Sequence, residues 1–334
     1  MAGTIDDEMG DYRHFVLPYS HAAGYARVPE VELAAFADLD SAKCASLQAR
    51  YGVKGGYTDW REMIEREKPD IVSICTPGTS HAEITVFAAN HGTRAIYCEK
   101  ALACSPAEAD SMVEAVERNG VKLNMGTLRR WSSGTAKARQ LIASGEIGTV
   151  RAVTSYSVGS LLHSASHFID LLLLFAGDQA PDWVQGTVVS QEFDTKAERW
   201  EKDVDATGII HFPSGVWGYL LSTPRWAQFE VVCSDGSLRT RNDCQDWALE
   251  VNRKRGKTTE RVDRPFPRYR KESSTVRLIR DLVHALDTNG PTQQGARAAA
   301  QSVEIAFGII ESHRRGGARV TLPLENRKLW MHSH

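Results

Sequence analysis

Short β-branched runs alternate with helix-like segments over residues 1–126, and this alternation constrains the fold more than any other feature of the chain. Runs of this kind connected through helices are typical of a parallel sheet with helices packed on its faces. The predicted strands cover residues 31–37, 70–75, 95–98 and 121–125, and the predicted helices cover residues 41–51, 60–66, 83–91 and 105–119. Residues 1–126 are therefore expected to form an α/β domain.

The pattern changes after residue 126. Predicted helices at 136–144 and 161–176 flank a strand at 150–157, and strand-like runs then follow one another from residue 183 to residue 251. Turn-forming residues at 213–215 and 235–236 separate some of these runs, as in antiparallel hairpins. Helices at 275–286 and 296–314 and a strand at 320–322 come next. The sequence thus predicts a second, α+β domain over residues 127–334, built on a large, mostly antiparallel open sheet.

Composition narrows the class of protein. The 334 residues include 40 Lys and Arg against 42 Asp and Glu, and 42% are hydrophobic, which excludes a disordered or collagen-like chain. A net charge of −2 does not favour binding to nucleic acid or to an anionic membrane. No apolar run approaches the roughly 18 residues that a membrane-spanning helix needs. Six cysteines without a C-x-x-C pair are typical of reduced thiols, so a cytoplasmic protein is expected. The basic residues at 253–271 are interrupted by Glu260 and Asp263 and are predicted to form a solvated loop or an oligomer rim.

Polar residues follow three of the predicted strands. Asp38 follows the strand at 31–37, the segment from Cys75 to His81 follows the strand at 70–75, and Glu99-Lys100 follows the strand at 95–98. Open α/β sheets bind ligands at the carboxyl ends of their strands, so these residues are candidates for a binding site. Each has an ordinary alternative, since Asp38 could cap a helix, Thr-Pro could form a simple turn and Lys100 could be solvated.

The predicted helix at 161–176 carries His163, His167 and Asp170 among apolar residues. Spacings of four, three and seven put all three on one face of a helix. Because polar groups buried without partners are costly, this face is expected to border a polar cleft. A hydrogen-bond network in the core and a Zn²⁺ site lacking an evident fourth ligand are the alternatives.

An ordered set of landmarks resembles the glucose–fructose oxidoreductase/inositol dehydrogenase (Gfo/Idh/MocA) family over nearly the whole chain. They are VELAAFADLD, the stretch around YTDWREMIEREKPDIVSICTPGTSHAEI, CEKALACSPAEAD, VKLNMGTLRRW, LIASGEIGTVRAV, SHFIDLLLLFAGD and RVTLPL. The resemblance implies a Rossmann domain that holds NAD(P), hydride transfer to or from a sugar or polyol, and a homodimer or homotetramer formed through the open sheet. No nucleic-acid or membrane partner is expected.

The resemblance also implies roles for single residues. Lys100 of the E-K-P motif, with Ala101 in place of Pro, would lie beside the nicotinamide and polarise the reacting oxygen. His167 would take or give the proton, and His163, where the family has Asp, would orient or relay it. Asp170, Arg130 and Trp131 would contact substrate, Arg129 is expected in a surface ion pair, and Trp200 and Trp226 are candidate sugar platforms or interface residues. The predicted cofactor-binding residues are Ala2, Gly3, Asp38, Cys75, Thr76, Pro77, His81, Glu99 and Lys100.

NAD is expected rather than NADP, because the Asp38 charge repels a 2′-phosphate and Leu39 stands where an NADP-binding protein often places Arg. The chain lacks the G-x-G-x-x-G motif and the apolar strand before it. We interpret Met1-Ala2-Gly3 as the tail of that motif, so that the sequence starts roughly ten residues late and the sheet is open where a central strand is missing. Residues 4–19 would then form a loop over the cofactor site, followed by a helix from about Ser20. A natural short protein with a vestigial nucleotide site is the alternative.

Four functions are therefore weighed from the sequence. An NAD-dependent sugar or polyol dehydrogenase or reductase comes first. An NAD-dependent glycosidase, which oxidises a ring carbon transiently, eliminates the aglycone and re-reduces, is the second. A metal hydrolase using His163, His167 and Asp170 and a non-catalytic scaffold follow.

Overall fold

The computed structural model describes residues 2–9, 16–157, 159–190, 192–223 and 227–333. The N-terminal strands are β1 (Ala35–Ala37), β2 (Gly55–Tyr57), β3 (Ile71–Ile74), β4 (Ala95–Cys98) and β5 (Lys122–Met125). The helices between and before them are α1 (Ile5–Met9), α2 (His21–Tyr25), α3 (Ser41–Tyr51), α4 (Trp60–Glu67), α5 (His81–Asn90) and α6 (Pro106–Arg118). All the strand pairs in this part are parallel, which confirms the predicted parallel α/β organisation.

Local sequence explains where several of these elements begin. The Asp40 side chain accepts hydrogen bonds from the amides of Ala42 and Lys43 and so caps α3. Ser105 caps α6 in the same way, and Pro106 occupies the first turn, where its missing N–H costs nothing. All four residues of β4 are buried, because helices cover both faces of this central strand.

The parallel strands of the described chain form two separate sheets, one of β1 and β2 and one in the order β3-β4-β5. The short helix α2 links them. Its Ala22 packs in the cluster that contains Phe36 and Leu47, and its Tyr25 packs with Ala95 and Tyr97. The expectations of an open sheet and of a helix from about Ser20 are therefore confirmed.

The expectation of a continuous loop over residues 4–19 is wrong in part. Residues 5–9 form α1, and residues 10–15, like Met1, lie outside the described residues. Asp7 of this helix makes a bidentate ion pair with Arg50 on α3. The Asp7–Arg50 contact joins α1 to α3.

The C-terminal part is built on nine strands in the order β14-β13-β12-β11-β6-β10-β9-β7-β15. These are β6 (Val150–Ser157), β7 (Trp183–Val188), β9 (Ala206–His211), β10 (Trp217–Ser222), β11 (Gln228–Cys233), β12 (Gly236–Arg241), β13 (Asp246–Arg255), β14 (Thr258–Arg264) and β15 (Val320–Thr321), while β8 (Arg199–Trp200) pairs with β16 (Trp330–Met331). Only β6 and β10 pair in parallel within the nine described strands. The predicted large, mostly antiparallel sheet is confirmed.

Four helices follow β5 along the described chain: α7 (Ser133–Ala143), α8 (Ser166–Phe175), α9 (Ser274–Asp287) and α10 (Gly295–Arg314). Helices α8 and α10 pack against one face of it, and every residue of α8 is buried. The opposite face exposes Ile209, Trp217 and Leu221. The predicted boundary at residues 126 and 127 stays a prediction, since α9 and α10 pack on β5 and share its core.

The predicted start of helix α8 is wrong, because the helix begins at Ser166, five residues later, and residues 161–165 form a turn. For the basic segment at 253–271, the loop alternative is wrong in part, because β13 and β14 pair from Leu249–Arg264 to Arg255–Thr258. The alternative of an oligomer rim stays a prediction. No helix among the described residues is long and apolar enough to cross a membrane.

Candidate active site

The carboxyl end of β1 presents the Asp38 carboxylate. One of its oxygens accepts the amide of Asp40 at 2.9 Å, and no other partner is present in the described part of the chain. Asp40, not Asp38, caps α3, which removes the structural alternative for Asp38. Leu39 beside it is 92% exposed. This acidic group at a strand end fits the ribose of a dinucleotide.

The loop after β3 is held to the loop after β4 by His81. Its Nδ1 lies 2.8 Å from the Ala101 carbonyl and its Nε2 lies 2.9 Å from the Thr76 carbonyl. Because the ring is buried and both nitrogens face backbone oxygens, this geometry supports a positioning role rather than the predicted direct contact with cofactor. Cys75, Thr76 and Pro77 are partly or fully exposed at this edge and remain predicted cofactor contacts.

A buried ion pair lies at the end of β4. His21 Nε2 is 2.9 Å from Glu99 Oε1, and the His21 ring stacks on Tyr97 at 3.6 Å. Burial alone would lower the pKa of His21, but electrostatic and hydrogen-bond interactions with Cys75 and with the Glu99 carboxylate raise it to about 9. Burial alone would raise the pKa of Glu99, but His21 and Lys100 hold it below its ordinary value. Glu99 is therefore a buried anion neutralised by an imidazolium, and sequence reasoning missed this role of His21.

Lys100 reaches the turn before α8. Its Nζ donates to His163 Nδ1 at 3.1 Å and to the His163 carbonyl at 2.9 Å. Asp203 holds this turn by accepting the amides of Leu162 and His163. The structure thus brings two of the predicted catalytic residues into direct contact. The Lys100–Ala101 peptide bond is cis.

His167 lies in the first turn of α8, 8% exposed, and its Nδ1 has no hydrogen-bond partner within the described residues. Burial, together with the charges of Arg129, Lys100 and His163, holds the pKa of His167 well below its ordinary value. The ring is neutral at neutral pH as a result. This buried imidazole nitrogen, close to Lys100, is a polar group for which the described residues provide no partner.

Arg130, Trp131 and Asp170 form part of the core instead of lining a cleft. Asp170 is fully buried and accepts hydrogen bonds from Arg130 Nε at 2.8 Å and from Thr127 Oγ1 at 2.7 Å. Arg130 also pairs with Asp178 at 2.6 Å, and Trp131 is 3% exposed with its indole N–H directed at the Met125 carbonyl. This geometry does not support the predicted substrate contacts, because each polar group is already paired inside the protein.

The common helix face predicted for His163, His167 and Asp170 is therefore wrong. His163 precedes α8, and within the helix Asp170 points into the Arg130 network while His167 lies near Lys100. Trp200 is also buried and stacks on Phe193 at 5.0 Å, so the geometry does not support a sugar platform. Trp226 lies outside the described residues.

The Arg130–Asp170 network gives a stability prediction. Asp170→Asn removes the charge opposite Arg130, and because hydrogen bonds to buried charged groups are worth more than neutral ones, we expect a loss of about 2–3 kcal/mol in the free energy of unfolding. Urea denaturation followed by tryptophan fluorescence measures it. Asp110→Asn, at the exposed pair with Arg327, is the control, with an expected loss below about 1 kcal/mol. Equal losses in the two variants would refute the buried-network interpretation.

Arg129, rather than Arg130, lies close enough to Lys100 and His167 for its charge to lower the pKa of both. Its guanidinium pairs with Asp243 and lies 5.0 Å over the Phe168 ring, next to His167 in sequence. The predicted ion pair is present, but it lies at the site instead of on the open surface. The sequence holds no signal that separates Arg129 from Arg130, since their partners are distant along the chain.

Ala2 and Gly3 pack between α2 and α3. The Ala22 amide donates to the Ala2 carbonyl at 2.9 Å, and the Tyr51 hydroxyl donates to the Gly3 carbonyl at 2.9 Å. A Cβ on Gly3 would collide with Leu47, so this residue permits close packing of the helices. Their assignment to the cofactor site stays a prediction.

The described residues fit the two ends of a dinucleotide. Asp38 suits a ribose, and Lys100 and the orphaned His167 nitrogen suit the nicotinamide and substrate end. The amides of Tyr19 and Ser20, just before α2, donate to the Asp6 carboxylate at 2.6 and 3.0 Å. No group of three or more His, Cys, Asp or Glu side chains is arranged to hold a metal ion among the described residues.

Comparisons with known proteins identify relatives of this chain. Residues 15–127 match the model of an oxidoreductase family with an NAD-binding Rossmann fold. The chain is 26% identical over 221 residues to myo-inositol 2-dehydrogenase of Thermotoga maritima, a match that covers 61% of this chain and 65% of that protein, just under two thirds of its length. Levoglucosan dehydrogenase in complex with NADH and levoglucosan shares the fold, with a TM-score of 0.75, 21% identity, and coverage of 91% of this chain and 95% of that one.

A further relative extends over most of the chain. D-apiose dehydrogenase of Paraburkholderia graminis is 32% identical over 325 residues, which cover 89% of this chain and 85% of that protein. Together with the family match to residues 15–127 and the observed sheets, this likeness shows that the chain belongs to the Gfo/Idh/MocA oxidoreductase family.

Proposed function

We propose that the protein is an NAD-dependent dehydrogenase that oxidises or reduces a sugar or polyol. The observation that carries the proposal is the contact of Lys100 Nζ with His163 Nδ1 beside the buried, neutral His167. Lys100 follows Glu99 at the carboxyl end of β4, and Asp38 follows the carboxyl end of β1 in the other parallel sheet. The names of the inositol and apiose dehydrogenases support a polyhydroxylated substrate.

Lys100 is the proposed group that polarises the reacting oxygen. Two of its three ammonium hydrogens go to His163 in the described structure, and the third is available to a substrate hydroxyl or carbonyl. Burial lowers the pKa of Lys100, with a further contribution from Arg129. Because an ammonium only donates, His163 Nδ1 is the acceptor in its contact with Lys100 Nζ.

His167 is the proposed proton acceptor in alcohol oxidation. A neutral imidazole near a reacting oxygen can take its proton, and the lowered pKa of His167 keeps the ring neutral at pH 7. In the reverse direction the ring returns the proton. Bound NAD supplies the hydride acceptor or, when reduced, the hydride donor.

Incubation with a panel of aldoses, inositols and polyols, followed at the NADH absorbance, tests the activity. We expect NADH to form with at least one sugar, and at least about tenfold less product with NADP, because Asp38 repels a 2′-phosphate. Release of nitrophenol from nitrophenyl glycosides without net NADH would favour the glycosidase instead. Absence of both products would contradict the proposal.

We further propose that the open sheet face joins copies of the chain. Ile209, Trp217 and Leu221 are each 36–37% exposed on it. The Trp217 ring also meets His211 at 4.9 Å and Trp183 at 5.6 Å, so apolar and aromatic groups are continuous across β7, β9 and β10. Contiguous exposed apolar surface of this kind marks protein contacts.

A further inference from the structure

Gly78, in the loop after β3 (residues 75–80), marks a close approach between two parts of the chain that are far apart in sequence. The residue is buried, and a Cβ built on it would collide with Ser333 Oγ. It begins a short 3₁₀ turn, and its φ lies outside the left-handed region, so the backbone does not require glycine here. What the glycine supplies is space, because the Ser333 side chain lies where a Cβ would be.

Ser333 belongs to a segment (residues 329–333), here called the closing segment, that is fixed on two sides. On one side the Met331 amide donates to the Cys104 carbonyl at 2.9 Å, and Ser333 Oγ lies 3.5 Å from Cys104 Sγ. On the other side its strand β16 pairs with β8. Met331 and Ser333 are 0% and 1% exposed, so the closing segment is part of the packed interior.

The closing segment connects two parts of the candidate active site. At Gly78 it packs against the loop after β3, which lies at the carboxyl end of a parallel strand, where open α/β sheets bind ligands. Through β16 it contacts β8, and Asp203, soon after β8, accepts the amide of His163 at 2.7 Å. His163 in turn contacts Lys100. One segment therefore supports both the predicted cofactor loop and the turn that meets the predicted catalytic lysine.

The packing at Gly78 is a second attachment of the loop after β3. The first is His81, whose Nε2 lies 2.9 Å from the Thr76 carbonyl. Ser80 Oγ donates to Thr76 Oγ1 at 2.7 Å, but this bond lies inside the loop and does not attach it to the rest of the protein. The middle of the loop is held where Gly78 meets Ser333.

We propose that Ser333 is a positioning residue for NAD, which holds the loop after β3 in its binding conformation by filling the notch at Gly78. The inference rests on the proposed function, of which it uses the binding of NAD and not the oxidation of a sugar. Because Ser333 is buried, it acts through the loop and not by touching the cofactor. The alternative is that Gly78 is small so that NAD can approach its backbone.

A pair of compensating substitutions tests the assignment by titration of nicotinamide fluorescence. Gly78→Ala should raise the dissociation constant of NADH at least about tenfold, since the new methyl displaces the loop and costs contacts to a charged cofactor. Ser333→Gly, which empties the notch, should raise it about threefold. The double variant Gly78→Ala with Ser333→Gly should return to within about threefold of the wild type, because the methyl then refills the vacated space.

Two results of this titration would overturn the inference. If Gly78 made room for the cofactor instead, the double variant would bind NADH as weakly as Gly78→Ala. If Ser333 did not position the loop, both single variants would bind NADH like the wild type. Gly290→Ala is the control and should keep the wild-type constant, because a Cβ there meets nothing nearer than Thr288 Oγ1 at 3.0 Å.

Ser333→Val keeps the proposal testable should Gly78→Ala not fold. Valine overfills the notch from the closing segment and leaves the loop sequence unchanged, so the dissociation constant of NADH should again rise at least about tenfold. Circular dichroism checks the fold at the titration temperature, because a purely structural role would lower the melting temperature and leave NADH binding by the folded protein unchanged. A wild-type constant in folded Ser333→Val would contradict the positioning role.

The titrations also separate this inference from the proposed activity. The expected constants, obtained with a protein that oxidises no sugar of the panel, would support the positioning role and refute the dehydrogenase. Wild-type constants in Gly78→Ala and Ser333→Val, obtained with a protein that does oxidise a sugar, would refute the positioning role and leave the dehydrogenase. A wild type that does not bind NADH would overturn both.

Discussion

Replacing Lys100 with methionine is expected to lower kcat by about 10²- to 10⁴-fold, the range contributed by one positioned proton donor or acceptor. Methionine keeps the length and apolar stem of the side chain but removes the donor that contacts His163 Nδ1 and the His163 carbonyl. The reacting oxygen then loses the hydrogen bond that stabilises its developing charge. Steady-state NADH formation with the best sugar of the panel measures the effect.

NADH binding separates chemistry from cofactor affinity in this variant. Titration of nicotinamide fluorescence should give a dissociation constant within a few-fold of the wild type, since Asp38 and the loop after β3 are unchanged. Lys43→Met, on the exposed start of α3, is the matched control and should keep the wild-type kcat. A Lys100→Met protein that retains more than about a tenth of the wild-type kcat would refute the proposed role of Lys100 in polarising the reacting oxygen.

Elements with strong local patterns were predictable from the sequence. Ser41–Tyr51, Ala95–Cys98 and Val150–Ser157 have the predicted bounds, because a capping Asp, an apolar run and an alternating strand each define them locally. Strand β8 and the continuation of β13 into β14 were missed, since their pairing depends on partners elsewhere in the sheet or the chain. The hydrophobic periodicity of a segment predicts a strand poorly when pairing with another strand determines whether it forms.

The site was predictable only where one strand end supplies a residue. Asp38 and Lys100 were found from their positions after strands, and the structure places them where that rule expects. The spacing of His163 and His167 led to the wrong prediction of a shared helix face. Helical periodicity applies only inside a helix, and His163 precedes α8. Arg129 pairs with Asp243, which is 114 residues away along the chain. Arg130 pairs with Asp170, which is 40 residues away. Sequence spacing alone does not reveal such contacts.

The His21–Glu99 pair is the second place where a large effect is expected. His21→Gln removes the imidazolium and leaves the Glu99 carboxylate buried without its counter-charge, which should cost about 3–5 kcal/mol in the free energy of unfolding at pH 6.5. Gly126 adds to the constraint, since a Cβ there would lie 2.7 Å from Glu99 Oε1, so the carboxylate has little room to move. His91→Gln, at an exposed histidine whose Nδ1 meets the Phe87 carbonyl, is the control and should change stability by less than about 1 kcal/mol.

The same pair predicts how stability depends on pH. The pKa of His21 is raised to about 9 in the folded protein, so its contribution is complete below the unfolded value of about 6.5 and is lost as pH rises through 9. The pKa of Glu99 is lowered, so its contribution is lost only as pH falls below its ordinary value. Urea unfolding of the wild type should therefore lose about 3 kcal/mol between pH 6.5 and pH 9.5.

Comparison of variants assigns this loss to the pair. His21→Gln should lose much less than the wild type between pH 6.5 and pH 9.5, because the group that titrates is gone. The double variant His21→Gln with Glu99→Gln should recover part of the stability, since it leaves neither charge buried alone. If the wild type and His21→Gln lost the same free energy of unfolding between pH 6.5 and pH 9.5, another group would be titrating. That result would refute the interpretation of His21 as an imidazolium paired with Glu99.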